Sequence, residues 1–252
     1  MILRRAGNKS KIAADIQKQF PTHKIYGELF FGAGGMYFNK PKAKYNILND
    51  LDSDVFNLFQ VVSNNKSELE SIIDIMPLHQ DLLEYWKKNK ETDPIKRAVR
   101  FVFISNFTFM CNGASMVFGA ENPKAVFFQN LNKTFELIKD AQFSNVDFRE
   151  YFKILRGKNS AETFLYCDPP YIGTWDNYSN SFTEKDSTDL FDCLQNSNCK
   201  WAMSEFDNEF IINQAKERNL NIITIGERGN LKNFRTEILV TNYKNHATLF
   251  DF

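Results

Sequence analysis

The chain reads as an α/β protein, a doubly wound sheet with a mostly helical insert, and three stretches lead to that reading. Residues 25–35 form an apolar strand candidate that runs into Gly32, Gly34 and Gly35. Roughly twenty residues further on, Tyr45-Asn46-Ile47-Leu48-Asn49-Asp50 is a second strand ending in a carboxylate, the spacing at which doubly wound folds set an acid against a ribose diol. The third is the apolar run Phe164-Leu165-Tyr166-Cys167, closed by Asp168-Pro169-Pro170-Tyr171.

Taken in order, residues 11–20 read as a helix closed by Pro21, followed by the strand and glycine loop to about Phe38 and the strand to Asp50. Val55, Leu58, Phe59 and Val62 recur at helical spacing and predict a helix over 54–62, completing a βαβ beginning. Helical patterns at 67–75, 78–88 and 94–109 follow without intervening strands, then a turn-rich stretch at 112–123. Alternation resumes with a strand at 145–148, the strand before Asp168, a helix at 185–195, a strand at 201–204 and a helix at 209–218. Residues 222–225 and 236–242 suit a terminal antiparallel pair. The expected organisation is a catalytic domain of residues 1–62 and 140–252 with an insert of 63–139.

Asp168 to Tyr171 suits activation of an exocyclic amino group on a base. That nitrogen is a poor nucleophile because its lone pair is delocalised into the ring, and acceptors at both N–H bonds make it reactive. Asp168 supplies one acceptor and the Pro169 carbonyl the other, since proline has no competing N–H and fixes the backbone direction. Tyr171 offers a stacking face for an extruded base. The bland reading is a strand followed by a Pro-Pro turn. The glycine loop is open to a plain tight turn or a close approach to a ligand; Tyr37 stands where a dinucleotide fingerprint carries its third glycine, which weakens that alternative.

At 252 residues, 43% hydrophobic and 25% charged, the chain can bury one substantial core and a smaller lobe. It lacks an apolar stretch of the ~20 residues a membrane span needs, and Met1-Ile2-Leu3-Arg4-Arg5 lacks a signal-peptide core, so a cytoplasmic location and no membrane partner are expected. Cys111, Cys167, Cys193 and Cys199 form no C-x-x-C pair, and neither a metal site nor a disulfide framework is expected. His23, His79 and His246 are dispersed away from the motifs. Formal charge is zero, so affinity for nucleic acid must come from local clusters: Arg4, Arg5, Lys9 and Lys11, or Lys87, Lys88, Lys90, Lys96, Arg97 and Arg100, each otherwise a solvated helix face. The aromatic stripe of residues 101–109 reads as core.

Together these residues resemble the Dam-type N6-adenine DNA methyltransferases of the D12 class (alpha group), in which the cofactor half precedes a target-recognition insert and Asp-Pro-Pro-Tyr follows it. Ala6-Gly7-Asn8-Lys9 resembles the family's Ala-Gly-Gly-Lys, with Arg5 standing where an aromatic residue is frequent. Glu28-Leu29-Phe30-Phe31-Gly32-Ala33-Gly34 matches its Glu-Pro-Phe-x-Gly-x-Gly except at Leu29; Asn49-Asp50, Asp147-Phe148 and residues 235–243 match its ribose acid, adenine-side pair and closing strand. The resemblance implies a Rossmann-like methyltransferase sheet that uses S-adenosyl-L-methionine, held by Arg5, Lys9, Phe30, Gly32, Gly34, Asp50, Asp147, Phe148 and Asp168. It implies catalysis by Asp168, Pro169, Pro170 and Tyr171 on double-stranded DNA, contacted by Lys96, Arg97, Arg100, Asn112 and Lys124. It further implies a monomer that works beside a separately encoded restriction endonuclease. Alternatives are a non-catalytic DNA-binding descendant, or methylation of RNA or of cytosine N4; Ser is usual in place of Asp168 in cytosine-N4 enzymes. Residues 114–119 lack the Arg-Tyr-Asn chemistry of GATC-specific members, which points readout toward Asn112, Asn122, Lys124, Gln129 and Asn130 around a shortened hairpin.

Overall fold

The computed structural model describes residues 1–5, 7–117, 119, 122–155, 160–173, 182–230 and 233–244. It contains a seven-stranded sheet in the order β3-β2-β1-β4-β5-β7-β6. The strands are β1 (Ile25–Glu28), β2 (Tyr45–Asn49), β3 (Gln142–Ser144), β4 (Thr163–Cys167), β5 (Lys200–Phe206), β6 (Asn221–Asn230) and β7 (Asn233–Thr241). β1 to β5 run parallel, while β7 lies antiparallel between β5 and β6. The order reverses between β1 and β4, which are direct neighbours, so a crevice opens beyond their carboxyl ends, where open α/β sheets hold ligands.

Two cores flank the sheet, and the two-residue period of a strand divides them. On β4, Phe164 and Tyr166 join one cluster while Leu165 and Cys167 join the other. α7 (Phe148–Leu155), α8 (Glu184–Asn196) and α9 (Glu209–Glu217) cover the second face with Tyr151, Leu190, Leu194 and Ile211. The first face is covered by α1 (Ala13–Gln17) and α2 (Ser53–Asn64). The helices α3 (Lys66–Ile75), α4 (Gln80–Lys88), α5 (Pro94–Phe107) and α6 (Pro123–Ile138), within the 63–139 stretch, share that same core through Leu69, Trp86, Phe103 and Leu131. Most of the aromatic stripe packs inward, with Val102, Phe103 and Phe107 buried, while Phe109 at its end is exposed.

Two elements differ from expectation. β3 ends at Ser144, and residues 145–147 form a connection: the Asn145 amide donates to the Asp50 and Leu51 carbonyls, and the Asp147 carbonyl accepts from the Glu150 and Tyr151 N–H groups that start α7. Val146 and Phe148, whose alternation suggested a strand, face the crevice instead. α6 occupies a stretch for which no helix is expected from pattern. Its start is Asn122, whose side chain accepts from Ala125 N–H, with Pro123 in the first turn, a helix-start signal that the turn-rich context concealed. The hairpin before it is short: Thr108 pairs with Met116, Phe109 N–H donates to the Ser115 carbonyl, and Met110 and Cys111 take positive φ at its turn. Phe118 of the hairpin, Ala6 of the N-terminal motif and His246 lie outside the described residues. His79 caps α4 by accepting from Leu82 N–H.

Candidate functional site

A cavity of about 270 Å³ lies at the switch point, walled by the ends of β1, β2 and β4 and by the N-terminal segment. Arg5, Lys9, Phe30, Gly32, Asp50, Asp147, Phe148, Asp168 and Pro170 all line it, so most of the residues singled out from sequence meet in one place. Gly34 lies behind the wall with φ at +73°, and a Cβ there would stand 2.3 Å from the Phe38 ring. Asp50 builds the loop as well as facing the cavity: Gly32 N–H donates to one of its oxygens at 2.5 Å and Asp52 N–H to the other at 2.8 Å. Burial pushes the Asp50 carboxyl up, against those two N–H groups and Arg5, which pull it down.

Each departure from the family pattern has a local role. Arg5 reaches Asp52 at 2.8 Å, and Asp52 in turn caps α2 by accepting from Asp54 N–H. The Asn8 side chain caps the turn after it, accepting from Ser10 N–H at 2.8 Å, and it lies over Gly35, where a Cβ would collide with it at 2.2 Å. Leu29, in place of proline, keeps an N–H that donates to the Tyr166 carbonyl across β4.

One end of the cavity is aromatic. Phe30, Phe148 and Phe182 meet with ring centroids 5.9 to 6.1 Å apart. Sequence reading missed Phe182; its signal is the apolar residue directly before the Thr183 capping box that opens α8. Arg149 binds Asp147, Asp186 and Asp189 together, fixing α7 against α8 beside that end.

The other end carries charge. Lys9 Nζ stands 2.7 Å from Asp168 Oδ1 and 3.7 Å from Glu237 Oε1, and 4.5 Å from the Tyr171 ring centroid. The Tyr171 hydroxyl donates to Glu237 at 2.5 Å. Glu28 and Glu205 are buried close by, and burial pushes each carboxyl up to about 8; Tyr26 donates to Glu28, while Ile172 and Phe206 N–H groups donate to Glu205. Glu205 carries no motif signal of its own, since a single acid within an apolar strand is visible only as a break in its pattern, and Glu237 lies within the 235–243 stretch that resembles the closing strand without being singled out there.

The five residues expected at DNA lie away from this cavity. Lys96 and Asn112 are exposed. Arg100 donates through Nε and Nη2 to the Trp86 carbonyl, Lys124 to the Asp74 and Met76 carbonyls, and Arg97 pairs with Asp54 and Ser53. Those contacts tie α3 to α6 and α4 to α5, and α5 to α2. Gln129 and Asn130 sit on α6 rather than in the hairpin, with the Asn130 amide donating to the Val126 carbonyl.

A glycine loop at β1, an acid after β2 and Asp-Pro-Pro-Tyr after β4, all opening on one cavity, agree with a family model that matches residues 6–231, that of the D12 class N6 adenine-specific DNA methyltransferases. The chain belongs to this family. D12 enzymes are S-adenosylmethionine-dependent, and the strand order of this sheet is Rossmann-like. Among curated relatives, the DNA adenine methylase of Haemophilus influenzae is 28% identical over 67% of this chain and 63% of its own length. The type II methyltransferase M.MjaIII of Methanocaldococcus jannaschii is 29% identical over 75% of this chain and 74% of its own. The type II methyltransferase M1.LlaDCHI of Lactococcus lactis is 24% identical over 95% and 94%. The cavity fits the D12 cofactor in kind, with aromatic rings at one end for a purine, carboxylates for hydroxyl and cationic groups, and Asp168 at the far end.

Proposed function

We propose that this chain methylates N6 of adenine at a short site in double-stranded DNA, as a cytoplasmic monomer working beside a separately encoded restriction endonuclease. The observation that carries the reading is Asp168 at the end of β4, held by Lys9 beside Tyr171 and opening on the same cavity as Asp50. Phe30, Phe148 and Arg5 would hold the cofactor's adenine, Asp50 its ribose, and Gly7 to Lys9 its amino-acid part. S-adenosylmethionine, when bound, supplies an electrophilic methyl group on sulfonium.

The chain's own residues do the rest. Flipping the target adenine costs a few kcal/mol, which stacking on Tyr171 offsets. Asp168 accepts one N6 hydrogen and the Pro169 carbonyl the other, moving the lone pair from the ring onto nitrogen. Lys9 occupies Asp168 Oδ1, so it fixes the carboxylate rotamer and leaves Oδ2 for the base. Positioning then supplies much of the acceleration. Residues 63–139 serve as the recognition insert: Lys96 and Asn112 meet DNA, while Arg97, Arg100 and Lys124 hold the helices that present them.

Expression in a bacterium free of DNA methylation, followed by long-read mapping of modified adenines, tests activity, base and sequence context together. Methylated adenine in a short motif other than GATC alone is expected, with none in Asp168→Ala. Absence of modified adenine with the parent chain would favour a non-catalytic descendant, and modified cytosine would displace the adenine reading.

A further inference from the structure

Glu237 lies on β7, completely buried, in a strand whose next residues, Ile238, Leu239 and Val240, are apolar. Removing a carboxylate from water costs several kcal/mol unless partners compensate, so a strand position that only needed filling would be occupied better by Val or Leu. Its partners include the Tyr171 hydroxyl at 2.5 Å and, at 3.7 Å, the Lys9 ammonium, which lines the Asp168 end of the cavity. β7 reaches the Asp168–Gly173 loop elsewhere too. Arg235, two residues earlier and therefore on the same strand face, extends to the Gly173 carbonyl and lies 5.4 Å over Phe206, whose ring meets Tyr171 edge-on at 4.7 Å.

We infer that Glu237 is a positioning residue: by holding the Tyr171 hydroxyl and sharing Lys9 with Asp168, it fixes the ring plane on which the base stacks relative to the carboxylate that activates N6. A tyrosine ring on a loop can swing about its two side-chain torsions. An anchor at its far end removes that freedom before the base arrives, and the ordering cost is met during folding rather than at binding. Glu237 touches neither base nor cofactor; it acts through Tyr171 and Lys9. This inference rests on Tyr171 as the stacking face.

Methyl-transfer kinetics on a duplex carrying the mapped site, for Glu237→Gln, Tyr171→Phe and the double variant, test it. Each single change should lower kcat about 10- to 100-fold, as expected for loss of a hydrogen bond to a charged group. Cofactor affinity by calorimetry should stay within about threefold, and the double variant should be no slower than the slower single, because Tyr171→Phe deletes the same hydrogen bond that Glu237→Gln strips of its charge. A merely structural acid would lower Tm without this non-additivity in kcat. Unchanged turnover in Glu237→Gln, or losses that multiply in the double variant, would overturn the inference. Should Glu237→Gln fail to fold, parental turnover in Tyr171→Phe, which keeps the ring, overturns it alone. Tyr171→Ala separates the two ideas: retained methylation there removes the stacking reading itself, whereas its loss alongside additive Glu237 and Tyr171 effects removes only the positioning role.

Discussion

Single carboxylates decide much of how this molecule behaves, and their surroundings separate them into types. Asp50 accepts two backbone N–H groups and faces the cavity, so Asp50→Ala should weaken cofactor binding by about 1.5–3 kcal/mol, the range for hydrogen bonds to charged groups, and loosen the glycine loop as well. Calorimetric titration measures the first effect; unchanged affinity would remove Asp50 from the site. Glu28 and Glu205 act on stability. Their carboxyls titrate near 8 when folded and near 4.5 when unfolded, so between those values the folded chain holds protons that the unfolded chain has released. Stability should therefore be full below about pH 4.5 with respect to these groups and fall as pH rises toward 8. Lys40, lowered to about 8 by burial, works in the opposite sense but only above that pH. Melting temperatures across pH 5 to 8 should decline, and Glu205→Gln should flatten the decline; a profile as steep as the parent's would show that Glu205 does not titrate there. Asp168 and Asp50 were legible in sequence because they close apolar strands, and Lys9 through the resemblance of Ala6-Gly7-Asn8-Lys9 to the family's N-terminal motif. Glu205, Phe182 and the contacts of Glu237 within its recognised closing strand were not, because their meaning depends on which strand lies beside which.

Elements were read well where apolar period and end signals agreed. β1, β2, β4 and helices α2 to α5 fall within a few residues of expectation, and the terminal antiparallel pair is present but longer than its apolar part. β3 was displaced because Val146 and Phe148 alternate like a strand while facing the cavity, and α6 was hidden because Asn122-Pro123 reads equally as a turn and as a cap. The glycine loop shows how one element holds two kinds of glycine. At Gly32, φ is +55° and a Cβ would meet nothing within 4 Å, so Gly32→Ala should cost only backbone strain of about 1–2 kcal/mol. At Gly34 the same strain is joined by contacts at 2.3 Å with Phe38 and 2.8 Å with Phe31, so Gly34→Ala must displace the wall. Thermal melts should find Gly34→Ala much the worse; equal losses of Tm would mean the Phe31–Phe38 packing yields easily.

For the molecule as a whole, a formal charge of zero means that the proposed function requires a few placed cations, and not a general field, to hold DNA. Lys96 is exposed, whereas Arg100 is engaged with the Trp86 carbonyl, so the two should fail differently. Lys96→Ala should reduce the slope of log affinity against log salt by about 1 and leave melting unchanged. Arg100→Ala should lower Tm by about 5 °C through the α4–α5 junction with little change in slope. Fluorescence anisotropy over a salt series, alongside calorimetry, would distinguish them, and a slope change in Arg100→Ala alone would reverse the assignment.

The placement of β7 also bears on how the protein emerges from the ribosome. β6 is made before β7 yet pairs only with it among the described strands, and β5 stays an open edge carrying Trp201 and Met203 until β7 arrives. The nascent chain therefore carries a bare apolar edge, prone to pairing with other chains, until translation passes Thr241. Glu237 reaches Tyr171 in that same closing step, so a chain released early would hold the whole Asp-Pro-Pro-Tyr segment and still lack its anchor.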